Sequence, residues 1–356
     1  MSEPIHGGDV WRWGAARPLD FSASLNPMGM APEVRQAAHR GVELSVHYPD
    51  PLCAGLSRAL SAQTGLPEDW MVWGNGAAAL LEAAVGTLRP RRALLFSPCF
   101  GEYERVLTQF HCEIHHHPLR SEDSFDLTGA ALSAIVPGLD LVLLCTPNNP
   151  TGRCIDPALL SAALERCEQV GAAALVDESF LELSDPERRT NLLPRLRPGC
   201  KLLLLRSLTK SHCIPGLRLG CALCADEAWM SAIRGWGQPW SVSVPAQLAG
   251  EAAMGRPDWP EAALRLIRPE RVRMTKALRE LGCTVWESDT NFLLFRAPGD
   301  RTLRERLLGR GILIRSCADF RGLGLEYYRA AIRTGEENTT LLAAVREERG
   351  TWHDPL

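Results

Sequence analysis

Hydrophobic and polar positions follow two regimes along this chain. Through its middle, candidate strands fall at 93–97, 112–117, 139–146, 172–177, 201–206 and 217–224. Most of these runs are continuously apolar rather than alternating, the pattern of strands buried on both faces of a mostly parallel sheet covered by helices. Helical periodicity lies between several of them. The segment 157–170 shows it best, opening with Asp156 as N-cap and Pro157 in the first turn. The pattern predicts a three-layer α/β domain over 45–240.

After Trp240 the order changes. Helices are predicted at 245–254 and 259–281, then strands at 283–286 and 291–296. A helix at 301–310, strands at 312–316 and 328–333 and a last helix from Glu336 follow. This arrangement predicts a smaller α+β domain over 241–356. Residues 1–44 are rich in proline and glycine and lack a long periodic pattern. They read as an ordered arm rather than a domain.

Composition adds limits rather than direction. The chain has 356 residues, 46% hydrophobic and 23% charged, with a net charge of −3. These values fit a globular enzyme and give no reason to expect nucleic acid or an anionic membrane as partner. No apolar run approaches the ~20 residues of a membrane helix. Asp9, Arg12, Arg17 and Asp20 interrupt any apolar signal core, so a cytoplasmic protein is expected. Of the twelve cysteines only Cys221 and Cys224 have Cys-x-x-Cys spacing. Without a second pair they read as half-buried strand thiols rather than zinc ligands. His115, His116 and His117 stand consecutively on an extended segment, so their side chains alternate between faces and do not converge on one ion. No metal is expected.

Chemistry enters at Ser207-Leu208-Thr209-Lys210, followed eight residues later by Arg218. A lysine amine is a nucleophile only when burial or nearby positive charge lowers its pKa. Two hydroxyls and an arginine beside it are the donors a dianionic phosphate needs. Together they point to pyridoxal phosphate. For this string alone, a strand end with a solvated lysine is the alternative. Three further segments bear on the choice. Gly74-Asn75-Gly76-Ala77 opens a helix and offers free amides to an anion. Thr146-Pro147-Asn148-Asn149-Pro150-Thr151-Gly152 follows a buried strand, where ligands of open α/β sheets sit. Asp177 ends another apolar strand 33 residues before Lys210. A charge buried there needs a partner, and a protonated pyridine nitrogen would be one.

These motifs resemble the fold-type I aminotransferase superfamily, which depends on pyridoxal 5'-phosphate. His6-Gly7-Gly8, Pro239-Trp240-Ser241-Val242 and Ile314-Arg315-Ser316-Cys317 are similar to its threonine-phosphate decarboxylase branch in cobalamin biosynthesis, which is close to the histidinol-phosphate aminotransferases. The resemblance implies Lys210 as the Schiff-base lysine and Asp177 as partner of the pyridine nitrogen. It implies Asn149 at the phenolic oxygen and Tyr103 stacked on the ring, with Gly76, Ala77, Ser207 and Arg218 around the phosphate. Tyr48 would reach that phosphate from a neighbouring subunit, hence a homodimer with shared active sites. Arg329 would clamp the substrate carboxylate, with Asn149, Arg315 and His6 also at the substrate. Phe180 departs from the aminotransferase pattern, which has tyrosine there. The implied reaction is decarboxylation of a phosphorylated amino acid, L-threonine O-3-phosphate, to (R)-1-aminopropan-2-yl phosphate. The alternative is an aminotransferase of histidinol-phosphate type. A transcription regulator of this fold would need an added winged helix, and residues before Tyr48 are too few and too rich in glycine and proline for one.

Overall fold

A computed structural model describes residues 6–348. Seven strands form the main sheet, in the order Met71–Asn75, Leu219–Leu223, Leu202–Ser207, Ala173–Asp177, Leu141–Cys145, Arg92–Ser97 and Glu113–Pro118. Only Leu219–Leu223 runs against the rest, pairing antiparallel with both of its neighbours. The central strands are buried at every position, as expected for a sheet covered on both sides. Successive residues alternate between two cores. Val142, Leu144, Ala174, Val176, Leu202 and Leu204 pack on one side. Leu141, Leu143, Ala173, Leu175, Leu203 and Leu205 pack on the other. Each fully buried leucine or valine contributes about 1.5–3 kcal/mol, so the register of these strands is fixed strongly. That register places Asp177 and Ser207, at the carboxyl ends of adjacent strands, on the same face as Leu175 and Leu205.

A second sheet has the order Arg315–Ser316, Tyr327–Ala331, Phe292–Arg296, Thr284–Val285. It packs with the long helix Asp258–Glu280 over a separate apolar cluster that includes Phe21, Ile267, Leu278 and Phe295. The helix Pro157–Val170 has the predicted bounds. Asp156 accepts from the amides of Ala158 and Leu159, and Gly171 closes the other end at φ 77°.

Four sequence expectations need correction. The strand Met71–Asn75 is not among the predicted strands, and its last two residues, Gly74 and Asn75, belong to a segment expected to open a helix. Gly74 is required inside the strand, since a β-carbon there would lie 2.8 Å from Leu80 Cγ. The arm contains a helix, Pro32–Glu43, which buries only Val34 and Gly41 and so shows little apolar periodicity. Gly41 lets it cross close over Pro245 at the start of the helix Val244–Met254. The strand at 312–316 is two strands: Ile312–Leu313 pairs parallel with Leu19–Asp20, while Arg315–Ser316 joins the second sheet. Cys221 and Cys224 are fully rather than half buried.

Candidate active site

The short helix Leu208–Ser211 follows directly on the strand Leu202–Ser207 and carries Lys210. Lys210 Nζ donates to Thr209 Oγ1 at 3.0 Å, and that hydroxyl lies 2.6 Å from Ser207 Oγ. Burial lowers the lysine pKa to about 8, and the positive charge of Arg218 adds to the effect. The Asp177 carboxylate opposes it. The amine therefore loses and regains its proton near neutral pH, as a nucleophile or proton carrier must.

Asp177 is held at both oxygens. Oδ2 accepts from the Tyr103 hydroxyl at 2.6 Å, and Oδ1 from the Ser179 amide at 2.8 Å. Burial and the adjacent Asp177 raise the Tyr103 pKa well above that of an ordinary phenol, so it stays a donor. Each carboxylate oxygen keeps lone pairs for a further donor.

Gly76 adopts φ 80° just before the helix Ala77–Leu88. A β-carbon there would overlap Arg218 Nη2. The guanidinium is thus seated directly against the turn that presents the helix's free amides. Arg218 itself holds φ 60° and donates to the Pro215 carbonyl at 3.2 Å. Gly220 is needed for the same approach, because a β-carbon would lie 2.5 Å from the Ala77 nitrogen. The Ala77 amide, Ser207, Thr209 and Arg218 together make an anion-binding corner.

The second sheet supplies Arg315 and Arg329, which are cross-strand partners. Arg329 is buried among groups separated widely in sequence. Its Nη1 donates to Asn149 Oδ1, and its Nη2 to the Ser22 carbonyl at 2.9 Å. Its guanidinium lies 5.0 Å above the Phe292 ring. Burial lowers its pKa to about 10, so it remains a cation at neutral pH. Its Nε is buried without a protein partner. Because arginine only donates, the Asn149 oxygen must face it, which leaves the asparagine NH₂ pointing elsewhere. Arg315 donates to the Ser316 carbonyl and to Asp319, both at 2.6 Å.

Two expected site residues have their partners outside this cluster. His6 pairs with Glu102 at 3.2 Å and approaches Phe100. Tyr48 is 80% exposed and packs on Trp240, with ring centroids 4.7 Å apart. Phe180, in place of a tyrosine, packs on Phe292 at 5.0 Å and lies 5.8 Å from Lys210 Nζ. Sequence reasoning missed Ser22, which holds Arg329 through a backbone carbonyl and therefore leaves no side-chain signature.

Residues 19–345 match the family model described as aminotransferase class I and II. The chain belongs to this family. It is 41% identical over 330 residues to the threonine-phosphate decarboxylase of Salmonella typhimurium, covering 92% of this chain and 90% of that protein. Identity to the histidinol-phosphate aminotransferase of Oleidesulfovibrio alaskensis is 29%, over 94% of this chain and 88% of that one. The structure superposes with a TM-score of 0.85 on the histidinol-phosphate aminotransferase from Clostridium acetobutylicum, at 25% identity, covering 94% of this chain and 99% of the other. The mostly parallel sheet flanked by helices is the fold of that family. No helix among the described residues is long and apolar enough to cross a membrane.

Proposed function

We propose that this chain is a pyridoxal 5'-phosphate-dependent decarboxylase that converts L-threonine O-3-phosphate to (R)-1-aminopropan-2-yl phosphate in cobalamin biosynthesis. The residues present fit the cofactor. The anion-binding corner of Gly76, Ala77, Ser207 and Arg218 suits its phosphate, and Asp177 suits a protonated ring nitrogen. The NH₂ of Asn149, turned away from Arg329, suits the phenolic oxygen, with no help from Phe180. Tyr103, hydrogen bonded to Asp177, is the aromatic residue that would stack on the ring. When bound, the cofactor supplies an electron sink for a bond breaking at the substrate α-carbon.

The chain's own groups then divide the work. Lys210 binds the cofactor covalently and carries a proton to or from the α-carbon. Its pKa of about 8 keeps both protonation states accessible. Asp177 preserves the positive charge on the ring nitrogen. Arg329, with Arg315 beside it, orients the substrate carboxylate for departure as carbon dioxide. His6 and Arg315 complete the site for the substrate phosphate. Phe180 and Phe292 line the space between Lys210 and Arg329, and such a wall excludes water from the reacting centre.

The observation that carries the choice of reaction is the 41% identity to a threonine-phosphate decarboxylase along nearly the whole chain. The structural likeness to a histidinol-phosphate aminotransferase favours a second reading, amino transfer with the same cofactor groups. Incubation of the purified protein with L-threonine O-3-phosphate and pyridoxal phosphate, without any oxo-acid, tests the proposal. Release of carbon dioxide and aminopropyl phosphate supports it, and strict dependence on 2-oxoglutarate overturns it.

The functional unit we propose is a cytoplasmic homodimer in which Tyr48 reaches the partner's cofactor phosphate. The exposure of Val46, Tyr48 and Leu52, with Tyr48 packed on the half-exposed Trp240, supports a covered surface there. A monomeric sedimentation profile for the active protein would contradict it. In the same reading, residues 1–44, 45–240 and 241–356 are the arm, the cofactor domain and the small domain.

A further inference from the structure

We propose that Ser22 is a positioning residue that latches the N-terminal arm to the arginine clamp, so that seating the arm and orienting Arg329 become one event. This rests on the reading that Arg329 and His6 face the substrate, and it adds a residue and a coupling to that reading.

The chain turns sharply after the strand Leu19–Asp20. Asp20 Oδ1 accepts from the Ser22 amide at 2.8 Å, from Ser22 Oγ at 2.6 Å and from the Ala23 amide at 3.3 Å. The serine hydroxyl has a single proton, and Asp20 takes it, so its lone pairs are left to accept. One accepts from the Gly8 amide at 2.8 Å. A hydroxyl already donating to a carboxylate is a better acceptor, since hydrogen bonds in a chain polarise one another. The carbonyl of the same residue accepts from Arg329 Nη2 at 2.9 Å. Ser22 is 2% exposed, so water does not substitute readily for either contact.

The arm is shaped to this arrangement. A β-carbon on Gly7 would overlap the Ser22 carbonyl oxygen, the atom that holds Arg329. Gly8 follows at φ 85°, a conformation that glycine adopts without strain. One residue earlier, His6 pairs with Glu102, which also holds Arg105 at 2.7 Å. The first described residues of the arm, 6–8, are therefore pinned at two points, to the helix Gly101–Gln109 through His6 and to the clamp through Ser22. Beyond them it is open, with Trp11 74% exposed.

Two variants approach the latch from opposite sides. Ser22→Ala keeps the carbonyl for Arg329 and removes the acceptor for Gly8. Gly7→Ala leaves Ser22 intact and forces the arm away from its carbonyl. For each, KM for L-threonine O-3-phosphate should rise about tenfold, the order expected for one buried hydrogen bond. In each, kcat should fall by less than about threefold, and the bound-cofactor absorbance should match wild type. Tryptic cleavage after Arg12 should accelerate in both, and this readout needs no turnover. The double variant should be no worse than the weaker single one, because both break the same latch. Multiplied effects in the double variant, or wild-type KM and cleavage rates in either single variant, would overturn the proposal. If wild type neither binds nor turns over this substrate, the functional reading fails while the cleavage experiment still reports on the latch.

Discussion

The cofactor half of the site and its substrate half are built by different means. Asp177 and Ser207 end adjacent strands of one buried sheet, Gly76 follows another strand of it, and Lys210 sits on the short helix after Ser207, each placed by a few residues of local backbone. Arg329 and Arg315 come from the second sheet and Ser22 and His6 from the arm; Arg329 reaches Asn149 180 residues away and Ser22 307 residues away, and His6 pairs with Glu102. The first half carries groups that any reaction with this cofactor needs. In the proposed reading the second decides which substrate bond is held for breaking, and it is the half made of long-range contacts. A family that shares a cofactor can thus change reaction by altering the second set while the sheet stays fixed.

Substitutions should separate the halves by size and by kind. The largest effect is expected for Lys210→Ala, which removes both covalent attachment and proton transfer. Turnover should fall by about 10⁴-fold or more, with thermal unfolding little changed, as measured by carbon dioxide release and calorimetry. Asp177→Asn comes next. Removing a buried charge that would face the ring's cation costs about 3–5 kcal/mol, so kcat should fall roughly 10²- to 10⁴-fold while the substrate KM stays near wild type.

Arg329→Lys strikes the other half. It loses the planar fork that reaches Asn149 and Ser22 together, and KM for the amino acid should rise by about 10- to 100-fold, on the scale of charged hydrogen bonds. Cofactor affinity, measured by absorbance titration, should hold. A matching loss of cofactor would erase the distinction between the halves. Gly76→Ala should do the reverse at smaller scale. Its φ of 80° and its overlap with Arg218 should weaken cofactor binding about tenfold and leave the substrate KM of the saturated enzyme unchanged.

The smallest effect is a shift in pH. Only the neutral amine of Lys210 is nucleophilic, so the rate at which cofactor-free protein captures pyridoxal phosphate should rise with pH through about 8. Arg218→Ala removes a charge that lowers this pKa, so the midpoint should move up. Asp177→Asn removes one that raises it, so the midpoint should move down. A stopped-flow pH series reads both signs.

Much of the sheet was legible in the sequence, because continuous apolar runs such as those ending at Cys145 and Asp177 have no other stable home. The helix Pro157–Val170 was legible to its ends, since Asp156 caps it and Gly171 stops it. The strand Met71–Asn75 was hidden because Gly74, which signals a turn, serves there to admit Leu80. The helix Pro32–Glu43 was hidden because it buries too narrow a stripe to register as periodic. In the site, Lys210, Asp177 and the turn at Gly76 each admit a structural reading when taken alone, and they point to one chemistry only when taken together. The meeting of Asn149 with Arg329 does not follow from any spacing, and Ser22 holds its partner through an atom that every residue possesses.

The most direct test compares two products in one reaction. Purified protein loaded with pyridoxal phosphate is given L-threonine O-3-phosphate together with 2-oxoglutarate, and carbon dioxide and glutamate are measured from the same sample. Decarboxylation predicts carbon dioxide equal to the substrate consumed, with no glutamate and no change in rate when the oxo-acid is omitted. Glutamate formed in step with substrate loss, and no carbon dioxide without the oxo-acid, would contradict it.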